Sequence, residues 1–359
     1  MKKLKIGIVG CGGIANNKHL PAIKKNGNFE VVAFCDIIKE KAEEAKEKFG
    51  IPEARVYTDY LELVKEEEIE AVYVLTPNKS HSFISVAAMK AGKHVMCEKP
   101  MAKSYADAKL MLDTAKETGK ILTIAYQNRY RADSTYLKRA CENGDLGEIY
   151  YAKAHALRRR AVPTWGVFLN EEEQGGGPLI DIGTHALDLT LWMMDNYEPE
   201  SVTGSVYHKL SDQTETGNEF GEWDPKQFTV EDSAFGFIKM KNGATIHLES
   251  SWALNTLDVD EAKTSLCGTK AGADMKDGLR INRVQYNKQC IEIPDLKSGG
   301  VAFFEGETES DAEVEQRVFY NAVVNGEDLI VKPEQAIVVT RILEGIYESA
   351  RTGKTIYFE

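Results

Sequence analysis

The chain has few of the residues that would cross-link it, anchor it or draw it to a polyanion. Six cysteines, Cys11, Cys35, Cys97, Cys141, Cys267 and Cys290, are scattered through 359 residues. None forms a C-x-x-C pair, which argues against a disulfide framework or a zinc site and for a reducing compartment. With no H-E-x-x-H segment and no dense His and Cys cluster, no metal is expected. No apolar run approaches the roughly 20 residues that span a bilayer. Met1-Lys2-Lys3-Leu4-Lys5 leads directly into a short run ending in glycines, without the longer apolar stretch of a signal peptide. A cytoplasmic location is therefore expected. Positive charge is also short, with 44 Lys and Arg against 56 Asp and Glu, for a net charge of −12. That surplus disfavours nucleic acid and anionic membrane as partners.

What remains is an ordinary globular composition, 43% hydrophobic and 28% charged, at a length that fits two domains. Residues 4–9, 30–36, 71–76, 94–97 and 121–126 are short apolar runs without polar alternation, as in strands buried on both faces of a parallel sheet. Helical patterns at 39–49, 82–91 and 104–118 separate them. The alternation predicts a doubly wound α/β domain over residues 1–126. Residues 127–359 read differently. Runs at 235–240 and 244–252 flank Lys241-Asn242-Gly243, a hairpin signal. Residues 211–226 are polar and read as a surface loop, and 333–351 as an amphipathic helix. A second domain of α+β type is expected there.

Gly10-Cys11-Gly12-Gly13-Ile14-Ala15 follows the first strand and matches G-x-G-x-x-G/A. Gly10 serves the tight turn, and Gly12 lets the backbone approach a pyrophosphate. With Gly13 and Ile14 opening a helix, backbone N–H groups meet the phosphate charge. Asp36 stands 26 positions beyond Gly10, at the end of the second strand. A carboxylate there hydrogen-bonds ribose hydroxyls and repels a 2′-phosphate, so NAD is favoured over NADP. Thr76-Pro77-Asn78, with His81 just beyond, closes a further strand at the end where ligands bind. Asn78 is either a cofactor contact or part of a plain turn.

Two further segments carry chemistry. Glu98-Lys99-Pro100 puts a lysine at a strand end, where burial beside a cofactor suits it to a proton role. Gly175-Gly176-Gly177-Pro178-Leu179-Ile180-Asp181-Ile182-Gly183-Thr184-His185 is a glycine loop, read as flexible, that runs into a helix. Asp181 and His185 are four apart and share a face if that helix is regular. The pair is either an oriented base for alcohol oxidation or a helix-capping pair.

In this order, the glycine turn, Thr76-Pro77-Asn78, Glu98-Lys99-Pro100 and Gly175-Gly176-Gly177 leading to Asp181 and His185 resemble the glucose–fructose oxidoreductase and inositol dehydrogenase family over essentially the whole chain. The resemblance implies a Rossmann domain followed by an open, mostly antiparallel sheet through which homo-oligomers form. It implies catalytic roles for Lys99, Asp181 and His185, and cofactor contacts at Glu98 and Lys99. Tyr126-Gln127-Asn128-Arg129-Tyr130 falls where the family places residues near cofactor and substrate, Gln127 towards the nicotinamide and Asn128 towards a sugar hydroxyl; Arg129 is alternatively a structural ion-pair partner. Arg158-Arg159-Arg160-Ala161-Val162-Pro163-Thr164-Trp165-Gly166-Val167 and Thr184-His185-Ala186-Leu187-Asp188 resemble bacterial glycoside 3-oxidases more narrowly. Arg160 and Trp165 would then line the pocket, Trp165 against the nicotinamide or an apolar ring face.

The resulting expectation is an NAD-dependent oxidoreductase that takes hydride from a ring hydroxyl of a sugar or glycoside, C3 of a glucoside first. An inositol dehydrogenase, a glycosidase acting by transient oxidation and a non-catalytic NAD sensor are the alternatives. The sequence leaves open whether Lys99 or His185 is the immediate base.

Overall fold

In the computed structural model, which describes residues 2–296 and 309–358, the early apolar runs are strands. They are β1 (Leu4–Val9), β2 (Phe29–Cys35), β4 (Ala71–Val74), β5 (His94–Cys97) and β6 (Leu122–Ile124), with β3 (Arg55–Tyr57) between the second and third runs. All pair in parallel in the order β3-β2-β1-β4-β5-β6. That is the doubly wound dinucleotide-binding order. β3 is absent from the sequence reading because it is a three-residue edge strand, with Arg55 exposed and Val56 and Tyr57 half-buried. The connecting helices are α1 (Leu20–Asn26), α2 (Lys39–Phe49), α3 (Tyr60–Leu63), α4 (His81–Lys90) and α5 (Tyr105–Thr118). A π-helical turn, Ala15–His19, leads into α1. The Ser104 hydroxyl caps α5 by accepting from the Asp107 N–H.

The second part contains α6 (Ala132–Glu142), β7 (Ile149–Leu157), α7 (Glu171–Gln174), a π-helical turn (Leu179–Gly183), α8 (Thr184–Met194), β8 (Pro199–Tyr207), β9 (Ser233–Met240), β10 (Thr245–Ser251), β11 (Asp260–Gly268), β12 (Ala271–Asp274), β13 (Arg280–Gln285) and β14 (Lys288–Glu292). After them come α9 (Asp311–Asn325), α10 (Pro333–Thr352) and β15 (Ile356–Tyr357). Among the described residues the second sheet has nine strands, ordered β14-β13-β12-β11-β7-β10-β9-β8-β15. Every neighbouring pair is antiparallel except β7 and β10. β9 and β10 form the expected hairpin. On β10, Ile246 and Leu248 are buried while Thr245, His247 and Glu249 are half-exposed, so one face is packed and the other wet. α8 is buried from Thr184 to Met193 and packs on β7 and β11.

The chain forms two compact units, Met1–Tyr130 with Glu307–Ile337, and Arg131–Gly306 with Val338–Glu359. A single division after residue 126 does not describe them, because α9 packs into the first unit. Phe319 meets Tyr73 edge-on at 5.6 Å, and Tyr320 meets Phe29 at 5.7 Å. The Tyr320 hydroxyl donates to the Lys2 carbonyl at 2.6 Å. Among the described residues no helix is long and apolar enough to cross a membrane, and no group of three or more His, Cys, Asp or Glu side chains could hold a metal ion.

Candidate active site

The glycine turn is built by close approach on one side and open space on the other. At Gly10, with φ +93°, a Cβ would lie 2.6 Å from the Leu75 carbonyl oxygen, so only glycine fits. At Gly12 a Cβ would meet nothing within 4 Å. Gly13 is exposed, and Ile14 is 41% exposed. The Asp36 carboxylate braces this turn, Oδ2 accepting from the Cys11 N–H and Oδ1 from the Ile38 N–H, both at 2.9 Å. A bare glycine backbone at a helix start, with a half-exposed carboxylate beside it, fits the pyrophosphate and ribose of a dinucleotide. Asp36→Ala is expected to weaken NAD about tenfold or more while improving NADP relative to NAD. Titration of both nucleotides checks this, and an unmodified protein that binds NADP more tightly would overturn it.

His81, fully buried, ties two strand ends together. Its Nδ1 lies 2.8 Å from the Pro100 carbonyl oxygen and its Nε2 2.9 Å from that of Thr76. Burial lowers its pKa, against the pull of the two carbonyls. The Thr76 hydroxyl accepts from Ser80 at 2.8 Å, and Asn78 opens the short helical turn Asn78–Ser80. Gln127 and Asn128 are half-buried at the start of a second such turn, Gln127–Tyr130. Arg129 has a structural part: it is fully buried and donates to the Ile330 carbonyl at 3.0 Å and Gln335 Oε1 at 2.6 Å.

Glu98 lies beneath the half-buried Lys99. Its Oε1 accepts from Lys18 at 3.1 Å and faces His19 Nε2 at 2.8 Å, and its Oε2 accepts from the Lys99 N–H at 3.0 Å. Lys18 also lies 3.1 Å from the buried Glu315. Burial alone would raise the Glu98 carboxyl, but Lys18, His19 and Lys99 outweigh it and hold the group well below the usual carboxylate range.

In the second unit the glycine loop is closely packed, which corrects its reading as flexible. A Cβ on Gly176 would fall 2.0 Å from the Tyr347 hydroxyl, and one on Gly177 would fall 2.3 Å from the Glu231 carbonyl oxygen. The buried Glu231 carboxylate takes three donors: Gly177 N–H at 2.8 Å, Leu179 N–H at 3.1 Å and the Tyr347 hydroxyl at 2.8 Å. Burial pushes its pKa up, and these bonds pull it partly back. Asp181 follows within the π-turn Leu179–Gly183, whereas buried His185 lies in α8. The i, i+4 geometry of a regular helix therefore does not apply to the pair. Asp181 Oδ2 accepts from the indole N–H of fully buried Trp252 at 3.0 Å. Sequence reasoning missed Glu231, Trp252 and Tyr347, which carry no motif and come from distant segments.

Arg158 is held by the Glu261 carboxylate through Nε and Nη2. Arg160 donates to neutral amides, Gln213 Oε1 at 3.1 Å and Asn255 Oδ1 at 2.9 Å. Trp165, 53% exposed, stands edge-on to Phe220 at 5.0 Å and Phe168 at 5.9 Å. Phe168 in turn meets Trp252 at 6.4 Å, so an aromatic row runs from the surface to the indole that holds Asp181.

Two family models match the chain. One, described as an oxidoreductase family with an NAD-binding Rossmann fold, covers residues 4–126, and the GFO/IDH/MocA C-terminal domain covers 135–274. D-glucoside 3-dehydrogenase of Escherichia coli (strain K12) is 36% identical over 353 residues, 98% of this chain and 97% of that protein. Glucose-6-phosphate 3-dehydrogenase of Bacillus subtilis (strain 168) is 32% identical over 252 residues, 69% of this chain and 67% of that one. The solved structure of levoglucosan dehydrogenase with NADH and L-sorbose covers 100% of both chains at a TM-score of 0.84 and 21% identity, a likeness of fold.

Proposed function

The chain belongs to the Gfo/Idh/MocA family of NAD-binding oxidoreductases, and we propose that it oxidises a ring hydroxyl of a sugar or glycoside, most specifically C3 of a glucoside. The observation that carries this reading is the 36% identity to a glucoside 3-dehydrogenase across almost the whole of both chains.

In this proposal Gly10, Gly12, Gly13 and Ile14 hold the pyrophosphate of NAD, and Asp36 holds a ribose. Thr76, Asn78, Glu98, Lys99, Gln127 and Trp165 complete the cofactor contacts, whereas His81, expected among them, is fully buried and instead holds the strand ends that carry Thr76 and Pro100. NAD, when bound, supplies a two-electron hydride acceptor. His185, oriented with Asp181, takes the proton of the reacting hydroxyl. Lys99 hydrogen-bonds the same oxygen and stabilises the charge that develops there. Asn128 and Arg160 bind neighbouring hydroxyls, and Trp165 covers an apolar face of the substrate. Because the Glu261 carboxylate occupies Arg158, we expect an unphosphorylated glucoside to be preferred to a sugar phosphate.

The test incubates the enzyme with glucosides, glucose 6-phosphate and inositols, each with NAD and with a ketosugar acceptor. Products are identified by mass and NMR. A 3-keto glucoside is the expected product. Reaction confined to 2-hydroxy acids or open-chain alcohols would overturn the sugar assignment, and release of free aglycone would favour a glycosidase.

The proposal extends to a cytoplasmic homo-oligomer assembled through the outer face of the nine-stranded sheet. Tyr151, His247 and Phe237 form an aromatic cluster on that face, with ring separations of 5.6 and 5.1 Å. Phe237 is 48% exposed in the single chain. Such a face on a wide sheet favours burial against a second copy. Light scattering at micromolar concentration is expected to show a dimer or larger species. A monomer would remove this part of the proposal.

A further inference from the structure

Behind Lys99 lies a polar chain that ends on a helix with no sequence motif. Tyr73 on β4, His19 on the π-turn and Gln316 on α9 are all fully buried. The Tyr73 hydroxyl donates to Gln316 Oε1 at 2.7 Å. The other end of that amide, Nε2, lies 3.2 Å from His19 Nδ1. An amide nitrogen can only donate, so Nδ1 must offer its lone pair. The ring proton is then on Nε2, which donates to Glu98 Oε1 at 2.8 Å. Glu98 Oε2 accepts from the Lys99 N–H at 3.0 Å. Each bond fixes the sense of the next.

We propose that Gln316 is a positioning residue for Lys99, acting through His19 and Glu98. The inference rests on the role assigned to Lys99 above. Tyr73 fixes the orientation of the amide, the amide fixes the tautomer and ring orientation of His19, and His19 fixes the rotamer of Glu98. Glu98 then holds the backbone of Lys99 at the point where its side chain leaves the strand. Burial of so many polar groups costs more than apolar packing unless every member is satisfied, and a satisfied network specifies one geometry. Lys18, 3.1 Å from both Glu98 and Glu315, supplies the positive charge that keeps the carboxylates tolerable there.

The test uses the full-length protein with saturating NAD and whichever ring polyol it oxidises best. Gln316→Leu removes the amide at similar volume. It is expected to lower kcat about 10- to 100-fold, the scale of loss from a small misplacement of a reacting group. NAD affinity should stay near normal. Gln316→Glu can accept from both Tyr73 and His19, and should recover part of the lost kcat. Nitrogen-15 NMR of labelled histidine, assigned with a His19 variant, should show the His19 ring proton on Nε2, with Nδ1 as the acceptor. In Gln316→Glu it should show the ring protonated at both nitrogens. If Gln316→Leu does not fold, Tyr73→Phe frees the amide to turn and should give the same losses in smaller degree with mixed tautomers. Turnover that survives Gln316→Leu, a proton on Nδ1 of His19 in the unmodified protein, or NAD affinity that falls in step with kcat would each overturn the proposal. An unmodified protein that oxidises no ring polyol counts instead against the glucoside reading, and against the role of Lys99 with it. The tautomer measurement needs no substrate.

Discussion

Lys99→Ala and His185→Ala are each expected to lower turnover by about 10²- to 10⁴-fold, the usual contribution of a positioned acid or base. The loss of NAD affinity should be much smaller than the loss of turnover, since the glycine turn and Asp36 are unchanged in both variants. The two variants should differ in their pH dependence. If His185 is the immediate base, its removal abolishes the limb of the kcat/KM profile that follows imidazole deprotonation, and Lys99→Ala leaves that limb in place. If Lys99 is the base, the pattern reverses. Single-turnover hydride transfer, followed by nicotinamide absorbance, separates the chemical step from product release. Near-normal turnover in either variant would remove that residue from the mechanism.

Glu231→Ala should have the largest effect on stability, about 2–4 kcal/mol, because it leaves two backbone N–H groups and the Tyr347 hydroxyl without their buried acceptor. The same change loosens the start of the segment that carries Asp181 and His185, so kcat should fall while NAD binding is retained. Glu231→Gln keeps an acceptor and should cost less. It also separates a charge effect. Burial raises the folded-state pKa of Glu231 above its ordinary value. The protonated form is therefore favoured by folding, and the stability it confers is present below the ordinary carboxyl pKa and lost as pH rises through the raised value. Glu98 has the opposite sign: its stabilisation is present above the ordinary carboxyl pKa and lost as pH falls towards its depressed value. Unfolding in denaturant across the acid range should show Glu231→Gln lacking the first slope and keeping the second. Equal stability of Glu231→Ala and the unmodified protein would show that the three bonds carry no net weight.

The parts of this architecture that were legible in the sequence are those written in local periodicity. The run at Leu4–Val9 followed by glycines, the helix Lys39–Phe49, the Ser104 cap and the hairpin around Asn242-Gly243 each depend on neighbours within a few residues. The features that escaped depend on pairings across long stretches of chain. β3 has too few apolar residues to form a pattern and is a strand because β2 pairs with it. The π-turns at Ala15–His19 and Leu179–Gly183 share the hydrophobic spacing of ordinary helix and are distinguished by their hydrogen bonds. Glu231, Trp252, Gln316 and Tyr347 are single residues whose partners are 54, 71, 297 and 116 positions away. No window of sequence contains both members of such a pair. The proposed chemical residues stood out because glycine and proline mark the turns around them, which is a local signal.

The place of α9 in the first unit also bears on how the protein is made. The rings that cover Phe29 and Tyr73, those of Tyr320 and Phe319, are translated 291 and 246 residues after them. A nascent chain halted before Asp311 would hold a complete parallel sheet with one apolar flank still open to water. Final closure of that core must wait until α9 has been made. During that interval the open flank is a site for a chaperone, or for sticking to another unfinished chain.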